Sequence, residues 1–189
     1  MSETRESGQQ DAERARLRAF WAGDRDAPFV MERSKLECDC HILLPSFRDH
    51  AALVLRYIVL GIGRLIPSSA LKIRVLRLTG MRIGRDVTIS PGVSLDPLWP
   101  FLIEIGDGAV LGMGCRVLTH ECTVRDFRIG RTRIGKHSVI GAGATVRAGV
   151  TIGERVTVGC NSFVNSDVPD GETVGGVPAR PLKGQGELA

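Results

Sequence analysis

From its sequence the chain is expected to be all-β: a parallel β-helix wound from six-residue repeats and entered through a short helical segment. The first reason is a period. Ile134, Ile140, Val146, Ile152, Val158 and Val164 recur every six residues, and Gly135, Gly141, Gly153 and Gly159 follow four of them directly. The same phase appears at Ile83, Ile89 and Leu95, and again at Ile105, Leu111 and Val117. A period of six fits neither a 3.6-residue helix nor a two-residue strand alternation, but it fits short strands joined by corners. The second reason lies four residues beyond each aliphatic of the long run, where Ser138, Ala144, Val150, Val156, Ser162 and Val168 are all small or branched. The third is composition: Gly makes up 23 of 189 residues, about 12% against a usual ~7%, while aromatics are only 5%. A narrow prism has no interior room for rings, and Gly suits corners that need unusual backbone angles.

Taken in order, residues 1–47 read as a polar arm with seven Lys/Arg against nine Asp/Glu, interrupted by Phe20-Trp21, Pro28 and Phe29-Val30 as docking points. Residues 48–85 carry eight basic residues (Arg48, Arg56, Arg64, Lys72, Arg74, Arg77, Arg82, Arg85) against Asp49 alone. A block of this kind meets nucleic acid, anionic lipid or an acidic ligand, or is a solvated helix face. The solvated face is the expectation, with no nucleic-acid partner. Its apolar part, AALVLRYIVLGIGRLIP, is interrupted by Arg56 and Arg64 and ends at Pro67, short of the ~20 residues that a spanning helix needs. Residues 48–80 are therefore read as basic amphipathic helices that either cap the next element or lie on a membrane surface. Residues 81–169 form the β-helix, with about three hexapeptides from Ile83, three from Ile105 and six from Ile134, hence roughly four coils stacked at ~4.8 Å. The period breaks at 97–104 and 123–133, which are expected to leave the prism as loops. Residues 170–189 are a C-terminal loop and tail.

The length favours one domain with an appendage. Collagen is excluded by the absence of a three-residue Gly period, and a disulfide scaffold by five Cys in a chain of this length. An odd number of Cys behind a polar start with no apolar leader points to reduced thiols in the cytoplasm. Cys38, Cys40 and His41 make a C-x-C-H cluster, but the usual C-x2-C spacing and a second ligand pair are missing, so no metal is expected there.

The repeat itself, the IGDGAVLGMGCRVLTH segment (105–120), the IGAGATVRAGVTIG segment (140–153) and the closing GGVPARP (175–181) resemble the hexapeptide-repeat acyltransferases, most closely their maltose, galactoside and nodulation O-acetyltransferase branch. The resemblance covers about residues 80–183. It implies a left-handed coil, a homotrimer with active sites between subunits, and acetyl-CoA as co-substrate with no metal required. The basic segment 51–78 is also similar to one carried by polysaccharide and lipid-linked saccharide O-acetyltransferases, which keeps peripheral membrane contact through residues 48–85 open.

Acetyl transfer from a thioester to a hydroxyl needs a base, a donor for the developing oxyanion and a holder for coenzyme A. The resemblance makes His120 the general base, and an imidazole titrating near ~6.5 is largely neutral at cellular pH. Glu121 and Glu104 are both candidates to orient its ring. Asp96 matches an acceptor-binding aspartate, although an Asp before Pro97 is also an ordinary turn residue. Trp99, between two prolines, offers a surface for stacking a sugar ring, or a trimer contact. Gly141 and Ala142 are expected beside the pantetheine arm, where a side chain would block the approach, and an amide of this stretch is a candidate oxyanion donor. Cys160 and Asn165 occupy matching positions, while Arg180 and Lys183 would meet the phosphates.

The function expected is transfer of acetyl from acetyl-CoA to a sugar or saccharide hydroxyl. The alternatives are a non-catalytic trimeric β-helix scaffold and a serine acetyltransferase, which shares the GVPAR ending. A zinc hydratase of the same fold would need three converging histidines. His120 and His137 stand 17 apart with no third partner in the repeat.

Overall fold

Most strands of this chain are only two or three residues long and find their partners one coil away rather than next in sequence. The computed structural model describes residues 16–17, 19–22, 28–32, 47–66, 68–123 and 126–182. Cys38, Cys40, His41, Arg125 and Lys183 lie outside the described residues. In chain order the structure contains β1 (Phe29–Glu32), α1 (Phe47–Leu65) and α2 (Ser69–Arg77), after which the strands rotate among three faces. The first face holds β2 (Arg82–Ile83), β5 (Ile103–Ile105), β10 (Thr132–Ile134) and β13 (Thr151–Ile152). The second holds β3 (Thr88–Ile89), β6 (Val110–Leu111), β11 (Val139–Ile140), β14 (Thr157–Val158) and β16 (Thr173–Gly175), and the third β4 (Ser94–Leu95), β7 (Arg116–Val117), β12 (Thr145–Val146) and β15 (Phe163–Val164). All of these pairs are parallel, so the chain winds a three-sided coil.

Register turns the sequence period into columns of stacked aliphatics. Ile83, Ile105, Ile134 and Ile152 align on the first face, with Val168 bridging onto Ile152. Ile89, Leu111, Ile140, Val158 and Val174 align on the second, and Leu95, Val117, Val146 and Val164 on the third. Every one is buried in a single core, together with Ala109, Cys115, Ala144, Val150 and Val156. The two buried serines are satisfied: Ser138 Oγ donates to Gly153 O at 2.7 Å and accepts from Val156 N at 3.0 Å, and Ser162 Oγ accepts from Gly176 N at 3.1 Å.

The corner glycines serve a different purpose from the one expected. Left-handed φ values fall two residues further on, at Gly143 or at His137 (φ 57), whereas the glycines beside Ile134, Ile140 and Ile152 are crowded by the coil above. A Cβ on Gly141 would lie 2.6 Å from Cys160 N, Gly159 C and Val158 O. Close coil stacking, not backbone angle, demands Gly there.

The prism is closed at its N-terminal end by α2. Ile73 and Leu76 face the core, and Lys72, equally buried, donates from Nζ to Ile89 O at 3.0 Å and to Ser90 O at 3.5 Å. Burial pulls this ammonium below the usual lysine range. Arg77 donates to Ile83 O (Nε 3.1 Å, Nη2 2.8 Å) and Gly84 O (2.8 Å). Two members of the basic block, Lys72 and Arg77, thus saturate carbonyls of the first coil. At the other end β17 (Arg180–Pro181) folds back antiparallel on β16.

The second interruption is a β-hairpin rather than a loop. β8 (His120–Cys122) and β9 (Asp126–Ile129) pair antiparallel, and β1 adds a third strand, matching Phe29 to Ile129 and Met31 to Phe127. Phe20, Phe29, Leu98, Trp99, Leu102, Phe127 and Ile129 form a second core outside the prism. The aromatics excluded from the coil gather here, and the polar arm is anchored through its few apolar residues. Phe127, expected on an open loop, is buried in this cluster.

Candidate active site

The third-to-first corner of the prism is where both interruptions leave it. The register Leu95↔Val117 sets the first coil against the second, and Asp96 N donates to Val117 O at 3.2 Å. The first excursion departs at Asp96, turns through a 3-10 segment at Pro100–Leu102 and returns at Ile103. The second departs one coil higher, through Leu118 and Thr119, into β8. Thr132 fixes the hairpin base: its Oγ1 donates to Leu118 O at 2.5 Å and accepts from Gly149 N at 3.1 Å. Asp96 and His120 are thereby stacked on adjacent coils.

Asp96 is 3% exposed, and its oxygens accept four hydrogen bonds. Oδ1 takes Leu98 N at 2.9 Å. Oδ2 takes Thr119 N at 2.9 Å, His120 N at 3.2 Å and the His120 ring at Nδ1, 2.5 Å away. Burial by itself would raise this carboxyl, but the hydrogen bond and charge of His120 and the Thr119 amide outweigh it, holding Asp96 below the usual carboxylate range. An ionised Asp96 can only accept, so Nδ1 carries a proton and Nε2 of a neutral ring is left with its lone pair. The His120 side chain is 25% exposed, and Trp99 meets it at 5.2 Å with the rings 81° apart. The arrangement is that of a fixed imidazole whose outer nitrogen can take a proton.

The two carboxylates expected to orient His120 are engaged elsewhere. Glu121 accepts from Arg147 Nε at 2.8 Å and Ala148 N at 3.3 Å, and Glu104 pairs with Arg82, Arg131 and Arg133. Asp96 reaches the ring instead, with Leu98 N, Thr119 N and His120 on its oxygens. Trp99 is 5% exposed, packed among Trp21, Phe127 and His120, so within this chain its faces are not open to stack a sugar.

The residues expected to hold coenzyme A are divided. Gly141, Ala142 and Cys160 stand at the second-to-third corner, with Ala142 and Cys160 exposed. Asn165 follows β15 at the same corner as His120, two coils further on. Arg180 is exposed in β17, its Nη1 donating to Ala179 O at 2.8 Å. One whole face of the prism separates Gly141 and Cys160 from His120. His137 is exposed, and no group of three or more potential metal ligands occurs among the described residues.

Known proteins share the repeat and the fold. Residues 131–166 match the model of the bacterial transferase hexapeptide (six repeats). The Bacillus subtilis (strain 168) protein YvoF, named as an acetyltransferase, is 33% identical over 128 residues, covering 67% of this chain and 74% of its own. Among solved structures, the hexapeptide-repeat-containing acetyltransferase VCA0836 of Vibrio cholerae superposes with a TM-score of 0.64 at 24% identity, over 75% of this chain and 95% of its own. That protein has also been solved in complex with acetyl coenzyme A. A maltose O-acetyltransferase of Clostridium difficile 630 superposes with a TM-score of 0.59 at 17% identity, over 74% and 89% of the two chains. At these identities the structures share the fold.

Proposed function

Since the chain belongs to the hexapeptide-repeat acyltransferase family, we propose that it is an acetyl-CoA-dependent O-acetyltransferase that acetylates a hydroxyl of a sugar or saccharide, with His120 as general base. The observation that carries the reading is the buried Asp96 carboxylate on His120 Nδ1 at 2.5 Å. With Nδ1 committed as a donor, Nε2 accepts the acceptor's hydroxyl proton as its oxygen attacks the thioester carbonyl carbon. The tetrahedral oxyanion is met by a backbone amide of the 141–142 stretch. Collapse then breaks the carbon–sulfur bond, and the proton on His120 passes to the departing thiolate. Acetyl ester and free coenzyme A result. Asp96 becomes a positioning residue in this scheme, stabilising the imidazolium that forms midway.

Coenzyme A is read as lying along Gly141, Ala142, Cys160 and Asn165, with Arg180 and Lys183 near its phosphates. Because Gly141 and Cys160 stand a face away from His120, a complete site draws its two halves from neighbouring subunits, in keeping with a homotrimer. A left-handed winding belongs to the same reading and is supported by the likeness to the Vibrio and Clostridium structures. Transfer is direct, without an acyl-cysteine. The test is thiol release from acetyl-CoA across a panel of sugars, amino sugars and saccharides. Release that depends on an acceptor and is lost in His120→Ala supports the proposal, and release unaffected by that substitution refutes the role of His120.

A further inference from the structure

We propose that the cavity enclosed by α1, α2 and the first coil is a binding site for a small aliphatic carboxylate, with Lys72 as the counter-charge to its head. The cavity measures about 350 Å³, within the ~300–1,000 Å³ of small-molecule sites. Leu60 of α1, Leu76 of α2 and Ile89, Val93 and Leu95 of the coil form its apolar walls, and Ser90 and Ser94 add hydroxyls. Leu95 and Pro97, both on the lining, stand on either side of Asp96, so an occupant lies one residue from the carboxylate that holds His120.

Two features mark this space as a site. The first is Lys72, which is 3% exposed and lines the cavity, its Nζ donating to Ile89 O and Ser90 O. Both acceptors are neutral, an ammonium has a third N–H to give, and no carboxylate forms an ion pair with Lys72 among the described residues. A buried charge is ordinarily matched by its opposite, and the cavity is where an opposite charge can enter. The second is Gly61 and Gly63 of α1, also on the lining. Glycine is the poorest helix former after proline, so two inside one helix call for a reason. Neither has a left-handed φ; a Cβ on Gly61 would meet nothing within 4 Å, and one on Gly63 would make only ordinary contact with Leu76 Cδ2 at 3.7 Å. What the two glycines do is leave the cavity unfilled. Lys72 is the one charged side chain on the lining among the described residues. A single ammonium with aliphatic walls suits a carboxylate on a hydrocarbon chain, whereas a phosphate group draws on forked arginines or several amides. The site stands on volume and charge, and does not depend on the acetyltransferase reading.

Calorimetric titration of the full chain with octanoate and with octanol tests it. Saturable binding of octanoate is expected, and binding of octanol, which has the chain without the charge, about tenfold weaker or less. Lys72→Met is expected to lower the affinity for octanoate about tenfold or more. Gly61→Leu, which puts a side chain into the open volume, should lower it about as much with the melting temperature kept, because leucine favours the helix. Absence of saturable octanoate binding overturns the proposal. So does octanol binding as tightly as octanoate, and so does unchanged octanoate binding in Gly61→Leu. Should Lys72→Met misfold by circular dichroism, the octanol comparison and Gly61→Leu decide.

Discussion

Oδ2 of Asp96 stands 2.5 Å from Nδ1 of His120 across 24 residues of sequence, because the two follow stacked strands on the same prism corner. Replacing Asp96 by Asn keeps the shape but lets the amide present an N–H to the ring, favouring the other tautomer and removing the charge that supports an imidazolium. Turnover is expected to fall about 10²-fold or more with KM for acetyl-CoA little changed, as measured by thiol-release kinetics. The same pair sets an acid limit. Its folded carboxyl lies below the unfolded value of ~3.9, so its contribution to stability is complete above that value and fades as pH falls through the folded one. Thermal melts below about pH 4 should therefore show wild type losing stability relative to Asp96→Asn.

Gly141 separates a structural demand from a ligand-binding one. Its Cβ would press on rigid backbone at 2.6 Å, so Gly141→Ala is expected to cost about 1–3 kcal/mol and lower the melting temperature by several degrees. Were the melting temperature unchanged and only KM for acetyl-CoA raised, the pantetheine arm would be the reason for glycine there.

Lys72 links α2 to the first coil. In Lys72→Met the carbonyls of Ile89 and Ser90 lose their charged donor, and a loss of about 1–3 kcal/mol in urea unfolding at neutral pH is expected. A melt equal to wild type would mean that these carbonyls find water instead.

The cysteines should divide by burial. Cys115 is fully enclosed, and burial pushes its thiol up to about 12, whereas Cys122 and Cys160 are exposed. Iodoacetamide labelling read by mass spectrometry is expected to modify Cys122 and Cys160 in the native protein and Cys115 only after unfolding. Saturating coenzyme A should slow modification of Cys160 but not of Cys122 if the cofactor runs along the second-to-third corner. Equal rates with and without it would remove Cys160 from the binding site.

The coil was legible because one inward aliphatic per side leaves a mark at every sixth residue, and Ile83 through Val174 stack as that mark requires. The excursions were not, since they answer to partners remote in sequence. Asp126–Ile129 becomes a strand by pairing with β8 and with Phe29–Glu32, about a hundred residues away. Trp99 looked like an exposed platform because proline-flanked aromatics usually sit on loops. Phe20, Phe29 and Phe127 provide a second core that no local pattern announces. His120 could be picked out from its segment, whereas its partner could not, because the excursion from Asp96 to Leu102 lengthens the coil. The signal was present all the same: the register that joins Leu95 to Val117 carries Asp96 to Leu118, two residues short of His120.

A stack of parallel strands has no inherent last member, since each coil offers the next a row of unsatisfied amides and carbonyls. In this chain Lys72 and Arg77 occupy carbonyls of the first coil, and β17 turns antiparallel across β16 of the last. These terminators block end-to-end polymerisation into a fibre.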